Sequence, residues 1–151
     1  MKLSSKDYFY VTIQGVLFVA YLFEMELITF HFPAVIALIG LIITIVGVIV
    51  TTLALLQLNR NLSPFPTPKS SAQLVQYGLY KYVRHPIYSG ILFITFGYGL
   101  FSASLYKLLI AVALLVLFYL KSSYEEDLLM QVYPEYGKYR RSTGRFFIKL
   151  F

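Results

Sequence analysis

Residues 81–90 read "KYVRHPIYSG" and bring Arg84, His85 and Tyr88 to the edge of a long apolar run. Pro86 suits the first turn of a helix, where its missing N–H is not needed. Arg84 and His85 then lie at the helix's N-terminal edge, where free backbone donors and the positive dipole end favour an anion or carboxylate. Gly78 and Gly90 allow close backbone approach. Tyr80, Tyr82 and Tyr88 offer aromatic faces to a flat ring or a cation. A plainer reading competes: Arg84 and Lys81 anchor a span to anionic lipid, and the tyrosines form its interfacial belt.

A second cluster reads "KSSYEEDLL" from Lys121. Lys121 and Glu125 are four residues apart and share a helical face. Carboxylates just below a membrane surface are unfavourable unless solvated or paired, so they suit an ammonium or sulfonium ligand. Glu126 and Asp127 fit a solvated helix start more easily than Glu125 does.

The elements that position these clusters follow from composition. Of 151 residues, 58% are hydrophobic and 13% are charged, an apolar share above that of soluble domains. Lipid must be the solvent for much of such a chain. The absence of cysteine excludes disulfides and thiolate ligands. His31 and His85 are too few and too far apart for a metal cluster. No metal site and no nucleic-acid partner are expected.

From Tyr8 to Phe23 no charge appears, which gives a helix of roughly 24 Å. Lys2 and Lys6 ahead of it resemble a signal peptide, but no small-residue cleavage pattern follows, so it is read as an uncleaved span. Phe32 to Leu58 is a second uncharged run, with Pro33 near its start. The third block, from Pro86 to Leu120, holds only Lys107. As a single helix it would extend roughly 52 Å, too long for one crossing. "LFSASLYK" near its middle supplies small and polar residues for a turn, so the block is read as a helical hairpin.

The expected architecture is an all-α integral membrane protein with about four transmembrane helices, a C-terminal hairpin and a cytoplasmic cofactor pocket. With both termini cytoplasmic, twelve of the thirteen basic residues fall inside, leaving Lys107 outside near Glu24 and Glu26. Residues 59–85 and 121–151 then share one side. Dense proline in "SPFPTP" blocks a helix there and leaves backbone groups open to a ligand. Beyond Leu120 the helix continues on a stripe of Tyr124, Leu128, Leu129, Val132 and Tyr133, and Pro134 ends it. The chain is one domain over 1–151: residues 1–58 form two N-terminal spans, and residues 59–151 form the cofactor-binding catalytic region.

The hairpin brings His85 and Glu125 to one face. A zwitterionic amino acid group needs a donor for its carboxylate and an acceptor for its ammonium, and the two clusters supply one of each. S-adenosyl-L-methionine carries that group, together with an adenine and a sulfonium. "LVQYGLYKYVRHPIYSG", a hairpin, then "EEDLL" and "YPEYGKYRR" resemble the isoprenylcysteine carboxyl methyltransferase family, in its small prokaryotic form. They are similar more distantly to the phospholipid N-methyltransferases. The resemblance covers residues 59–141 and is specific as a combination of motifs.

It implies a membrane methyltransferase without a Rossmann domain, in keeping with the lack of a G-x-G-x-x-G motif. S-adenosyl-L-methionine would contact Gln73, Leu74 and Val75 through the backbone. Tyr80, Arg84, His85, Pro86, Ile87 and Tyr88 would complete its cradle, with Glu125 on the amino acid end. His85 is expected to donate to the cofactor carboxylate rather than to ligate metal. Ala72 stands where eukaryotic members have a histidine. Lys121 replaces a substrate-binding arginine and loses its bidentate grip on a carboxylate. Lys121 and Glu126 are the candidate catalytic residues, Glu126 as a base for an amine acceptor.

The implied reaction is methyl transfer to a lipophilic small molecule or lipid-modified substrate, a carboxylate or an amine, at the cytoplasmic face of a prokaryotic cell membrane. The alternatives are a non-enzymatic membrane scaffold and a nicotinamide-dependent, sterol-reductase-like protein.

Overall fold

In lipid a backbone N–H or C=O finds no water, so apolar runs satisfy their polar groups internally as helices. The computed structural model describes residues 2–25, 32–69 and 73–149. Its helices are α1 (Ser5–Leu22), α2 (Ala34–Leu58), α3 (Pro86–Phe101), α4 (Leu105–Val132) and α5 (Tyr136–Ser142). Two 3₁₀ turns, Asn59–Asn61 and Gly78–Lys81, lie between α2 and α3. Among the described residues there is no strand, and a lone bridge pairs Val83 with Gly144. Glu26, His31 and Ala72 lie outside the described residues, as does the side chain of Arg60.

Local chemistry sets the helix ends. Asp7 accepts from the Ser4 N–H at 2.7 Å, as in a capping box, and starts α1. Pro33 directly precedes α2, and Pro86 opens α3. Ser104 Oγ accepts from the Lys107 N–H at 3.3 Å and caps α4. The α3–α4 connection falls within the "LFSASLYK" stretch, as expected.

Of the four expected spans, α2 and α4 are long and apolar enough to cross a bilayer. The 16 residues of α3 extend only about 24 Å. Val35, Leu38, Ile42, Ile45, Ile49 and Leu56 leave α2 apolar on its outer face. That clothing suits lipid. Leu92, Ile110, Leu114, Leu117, Phe118 and Phe146 form the buried core, with Ile13, Leu17 and Phe18 of α1 packed against it.

The α2–α3 pair is held by contact of backbones. Gly40 and Gly47 on α2 face Gly97 and Gly90 on α3, and a Cβ added at Gly47 would meet Gly90 O and Ile94 N at 2.7 Å. Small residues allow such approach where lipid supplies no hydrophobic drive between helices. At one end of the bundle, Lys107 Nζ donates to Tyr21 O (3.2 Å) and Phe23 O (3.4 Å) and pairs with Glu24 at 3.5 Å. It thereby caps the last carbonyls of α1. The opposite end gathers the start of α1, the end of α2, the start of α3 and the end of α4. Both polar clusters meet there.

A methyl group at Gly47 has no room without moving α3, whereas one at Gly15 meets nothing within 4 Å. Overpacking of this kind costs about 1–3 kcal/mol. Gly47→Ala should lower the thermal unfolding midpoint in detergent by several degrees, and Gly15→Ala should leave it unchanged or slightly higher. Equal midpoints for the two variants would show that α2 and α3 do not pack through these glycines.

Candidate active site

At the polar end lies a cavity of about 350 Å³. The loop 61–69, residues 73–75, the start of α3, the end of α4, Gln14, Tyr133, Tyr136 and Tyr139 line it. Behind its wall sits a buried charge network. Glu126 is fully buried on α4. Its Oε1 accepts from Arg84 Nε at 2.8 Å and faces His85 Nε2 at 3.1 Å. Its Oε2 lies 3.0 Å from Arg140 Nε and 3.6 Å from Arg145. Arg84 also donates to the carbonyls of Arg140 and Thr143, joining α3 to α5.

This arrangement corrects two expectations. Glu126 is not a solvated acid, because three guanidinium groups and an imidazole surround it and offset its desolvation. Arg84 does not anchor lipid, because its side chain is spent inside the protein. Neither does His85 aim its Nε2 at the cavity: that nitrogen is turned to Glu126. Its Nδ1 stands 3.9 Å from Glu125, beyond hydrogen-bond range.

Arg84 and His85 still line the cavity, while Glu126 stands behind them. Pro86 lines a separate apolar groove on the other side of α3, among Val50, Leu79 and Phe147.

Glu125 faces the cavity and accepts from the Tyr88 hydroxyl at 2.9 Å. Tyr88 is held in turn by stacking on Phe118 (4.6 Å between centroids) and on His85 (5.3 Å). Lys121 is buried one turn earlier. Its ammonium donates to Gln14 Oε1 at 2.6 Å and to Pro64 O at 2.9 Å. Ile87 completes this wall.

The roof is the proline-rich loop and the segment after it. Asp7 accepts from the N–H and hydroxyl of Thr67 at 2.9 and 2.8 Å. Gln73 exchanges two hydrogen bonds with the Asn61 side chain, at 3.2 and 3.1 Å, so its backbone groups are taken. Leu74 and Val75 make no backbone hydrogen bond among the described residues. Their backbone N–H and C=O groups are open.

Gly78 adopts a φ of 62°, and Gln57 fills the space where its Cβ would lie. That turn delivers Tyr80, whose hydroxyl reaches Ala54 O at 3.4 Å. The Tyr139 hydroxyl donates to Tyr80 O. The Tyr136 hydroxyl is buried and has no partner among the described residues. Burial pushes Tyr139 up to about 12 and raises Tyr80 and Tyr136 further, so all three stay protonated near neutral pH.

Sequence reading missed Gln14, Asn61, Asp7, Arg140 and Arg145. Only Gln14 carried a signal, as an amide inside an uncharged apolar run.

Residues 35–136 match the phospholipid methyltransferase family. No curated protein matches the chain. The fold is similar to the solved structure of a eukaryotic intramembrane Ras methyltransferase, isoprenylcysteine carboxyl methyltransferase, with a TM-score of 0.65 and 23% identity. The alignment covers 97% of this chain and 53% of that one, so the chain spans about half its length. All the site residues expected from sequence lie inside the family match.

Removing the Glu126 charge leaves Arg84 buried without its counter-ion. Glu126→Gln should lower stability by about 3 kcal/mol, read as a fall in the thermal midpoint in detergent. Glu125→Gln keeps an acceptor for Tyr88 and should unfold close to the parent. If Glu126→Gln unfolds no earlier than Glu125→Gln, the network does not hold the fold.

Proposed function

The chain belongs to the phospholipid methyltransferase family, and on that premise we propose that it methylates a lipid-like acceptor, with S-adenosyl-L-methionine bound in the 350 Å³ cavity. One observation carries the reading. A single cavity joins the Glu125 carboxylate, the unpaired backbone groups of Leu74 and Val75, and Tyr136, whose buried hydroxyl behind the lining is unbonded. An acid for an ammonium, backbone groups for the edge of a base and a buried donor without a partner are the set that this cofactor needs. The residues fit the group.

S-adenosyl-L-methionine, when bound, supplies a methyl group on a positively charged sulfur. Glu125 holds the ammonium end, kept in place by Tyr88. Tyr80 and Ile87 form the walls, and Leu74 and Val75 offer their backbone N–H and C=O. Gln73 sets the path of that segment through Asn61. Pro86 acts by opening α3. Arg84, His85 and Glu126 form a rigid backing that fixes the start of α3 against α5, so Glu126 is a positioning residue in this scheme.

Lys121 has given two of its three donors to Gln14 and Pro64, which leaves a one-point contact for an acceptor. A carboxylate acceptor arrives ionised; an amine must first lose its proton, to a group of the cavity or to water. The protein's main task is to orient both partners and exclude water.

Four spans, with both termini and the cavity on the cytoplasmic side of the cell membrane, complete the scheme. The shared polar end of the helices and the bias of twelve basic residues in thirteen support it. A hydrophobic acceptor then enters laterally from the bilayer.

Titration of purified protein in detergent with S-adenosyl-L-methionine should show saturable binding, and Glu125→Gln should weaken it roughly tenfold or more. A parent protein that does not bind the cofactor sinks the reading. For topology, single cysteines at Gln76 and Ser142 in this cysteine-free chain should both resist an impermeant thiol reagent in intact cells and react once the cells are opened. Labelling of either from outside would rule out a cytoplasmic cavity.

A further inference from the structure

Tyr136 is the first residue of α5, is 1% exposed and lines the cavity, yet its hydroxyl has no hydrogen-bond partner among the described residues. A buried hydroxyl left unpaired is unfavourable by about 1–3 kcal/mol, and such groups in native proteins call for an explanation. Several other donors of the wall already have partners, although Lys121 keeps one N–H and Leu74 and Val75 keep theirs. Tyr80 and Tyr139 are bonded to backbone carbonyls, Tyr88 to Glu125, and Arg84 to Glu126. His85 directs Nε2 at Glu126.

We propose that the Tyr136 hydroxyl is the donor that holds the carboxylate of the bound cofactor's amino acid group. This rests on the reading of the cavity as an S-adenosyl-L-methionine site. In that cofactor the carboxylate and the ammonium share one carbon. A donor for the first must therefore stand near the acceptor for the second, and Tyr136 and Glu125 line the same cavity.

Burial, with Glu126 adding to it, holds the phenol above its ordinary pKa, so it remains an O–H donor across the working range. His85, given this task from sequence, lines the same cavity but turns its Nε2 to Glu126, whereas the hydroxyl of Tyr136 is wholly uncommitted.

The test compares S-adenosyl-L-methionine with its decarboxylated analogue on the parent and on Tyr136→Phe, by calorimetric titration and by ligand-induced shift of the thermal midpoint. The parent should bind the cofactor at least tenfold more tightly than the analogue, as expected for a hydrogen bond to a charged group. Tyr136→Phe should lose most of that preference while binding the analogue like the parent. Because no internal bond is lost, its unliganded midpoint should equal or exceed the parent's.

The inference is overturned if Tyr136→Phe keeps the parent's preference. It is equally overturned if the variant weakens both ligands by the same factor with a lower midpoint, which would mark the ring as packing alone. A parent that binds neither ligand overturns the cofactor reading itself, an outcome distinct from both.

Discussion

The buried carboxylate of Glu126 is the constraint on which the polar end of the molecule depends. It belongs to α4, but its partners come from elsewhere: Arg84 and His85 at the threshold of α3, Arg140 in α5, and Arg145 in the segment beyond. A carboxylate with no exposure is tolerated only where opposite charges and donors surround it. The network therefore couples three segments to α4 at once, and none can move without unpairing a buried charge. It also sets the cavity wall. Arg84 and His85 are drawn toward Glu126, so what they present to a ligand is their flank and not their full hydrogen-bonding capacity.

The membrane explains why two kinds of contact divide the structure. Along the apolar length, α2 and α3 meet through glycines, because in lipid close van der Waals packing is the available force. At the polar end the contacts change to ion pairs and tyrosine hydroxyl bonds. Lys107 ties the start of α4 to the end of α1, as Asp7 and Lys121 tie α1 and α4 to the loop near the cavity, each by satisfying polar groups that lipid cannot. The cavity lies where these regimes meet, open to polar ligands and adjacent to apolar surface.

Much of this was legible in the sequence because its punctuation acts locally. Pro86 can open a helix but not sit within one, Pro134 can follow one, and "LFSASLYK" breaks an apolar block too long to cross in one piece. Lys107 beside Glu24 followed from charge sidedness. The roles of adjacent residues were not legible. Glu125 and Glu126 differ by about 100° around the helix, consistent with 3.6 residues per turn. Which of them is buried depends on Arg140 and Arg145, placed by the path of α5 and the tail. The bond from Lys121 to Gln14 joins residues 107 apart, and no local pattern announces it. For the same reason the chemistry of His85 was visible, but the carboxylate that takes its Nε2 was not.

The roof of the cavity shows how a loop is held rigid with few backbone donors. Pro64, Pro66 and Pro68 have no N–H to give, and their fixed φ narrows the range of conformations open to the unfolded loop. Among its polar ties, Thr67 to Asp7 and the Pro64 carbonyl to Lys121 both end on charges that are themselves buried. Each charge would be unfavourable without the loop, and the loop would be unfastened without the charges. The start of α1 and the end of α4 are thus joined through the roof. A ligand entering the cavity meets a surface whose shape is already determined, which is what the proposed methyl transfer, governed by the alignment of two partners, would require.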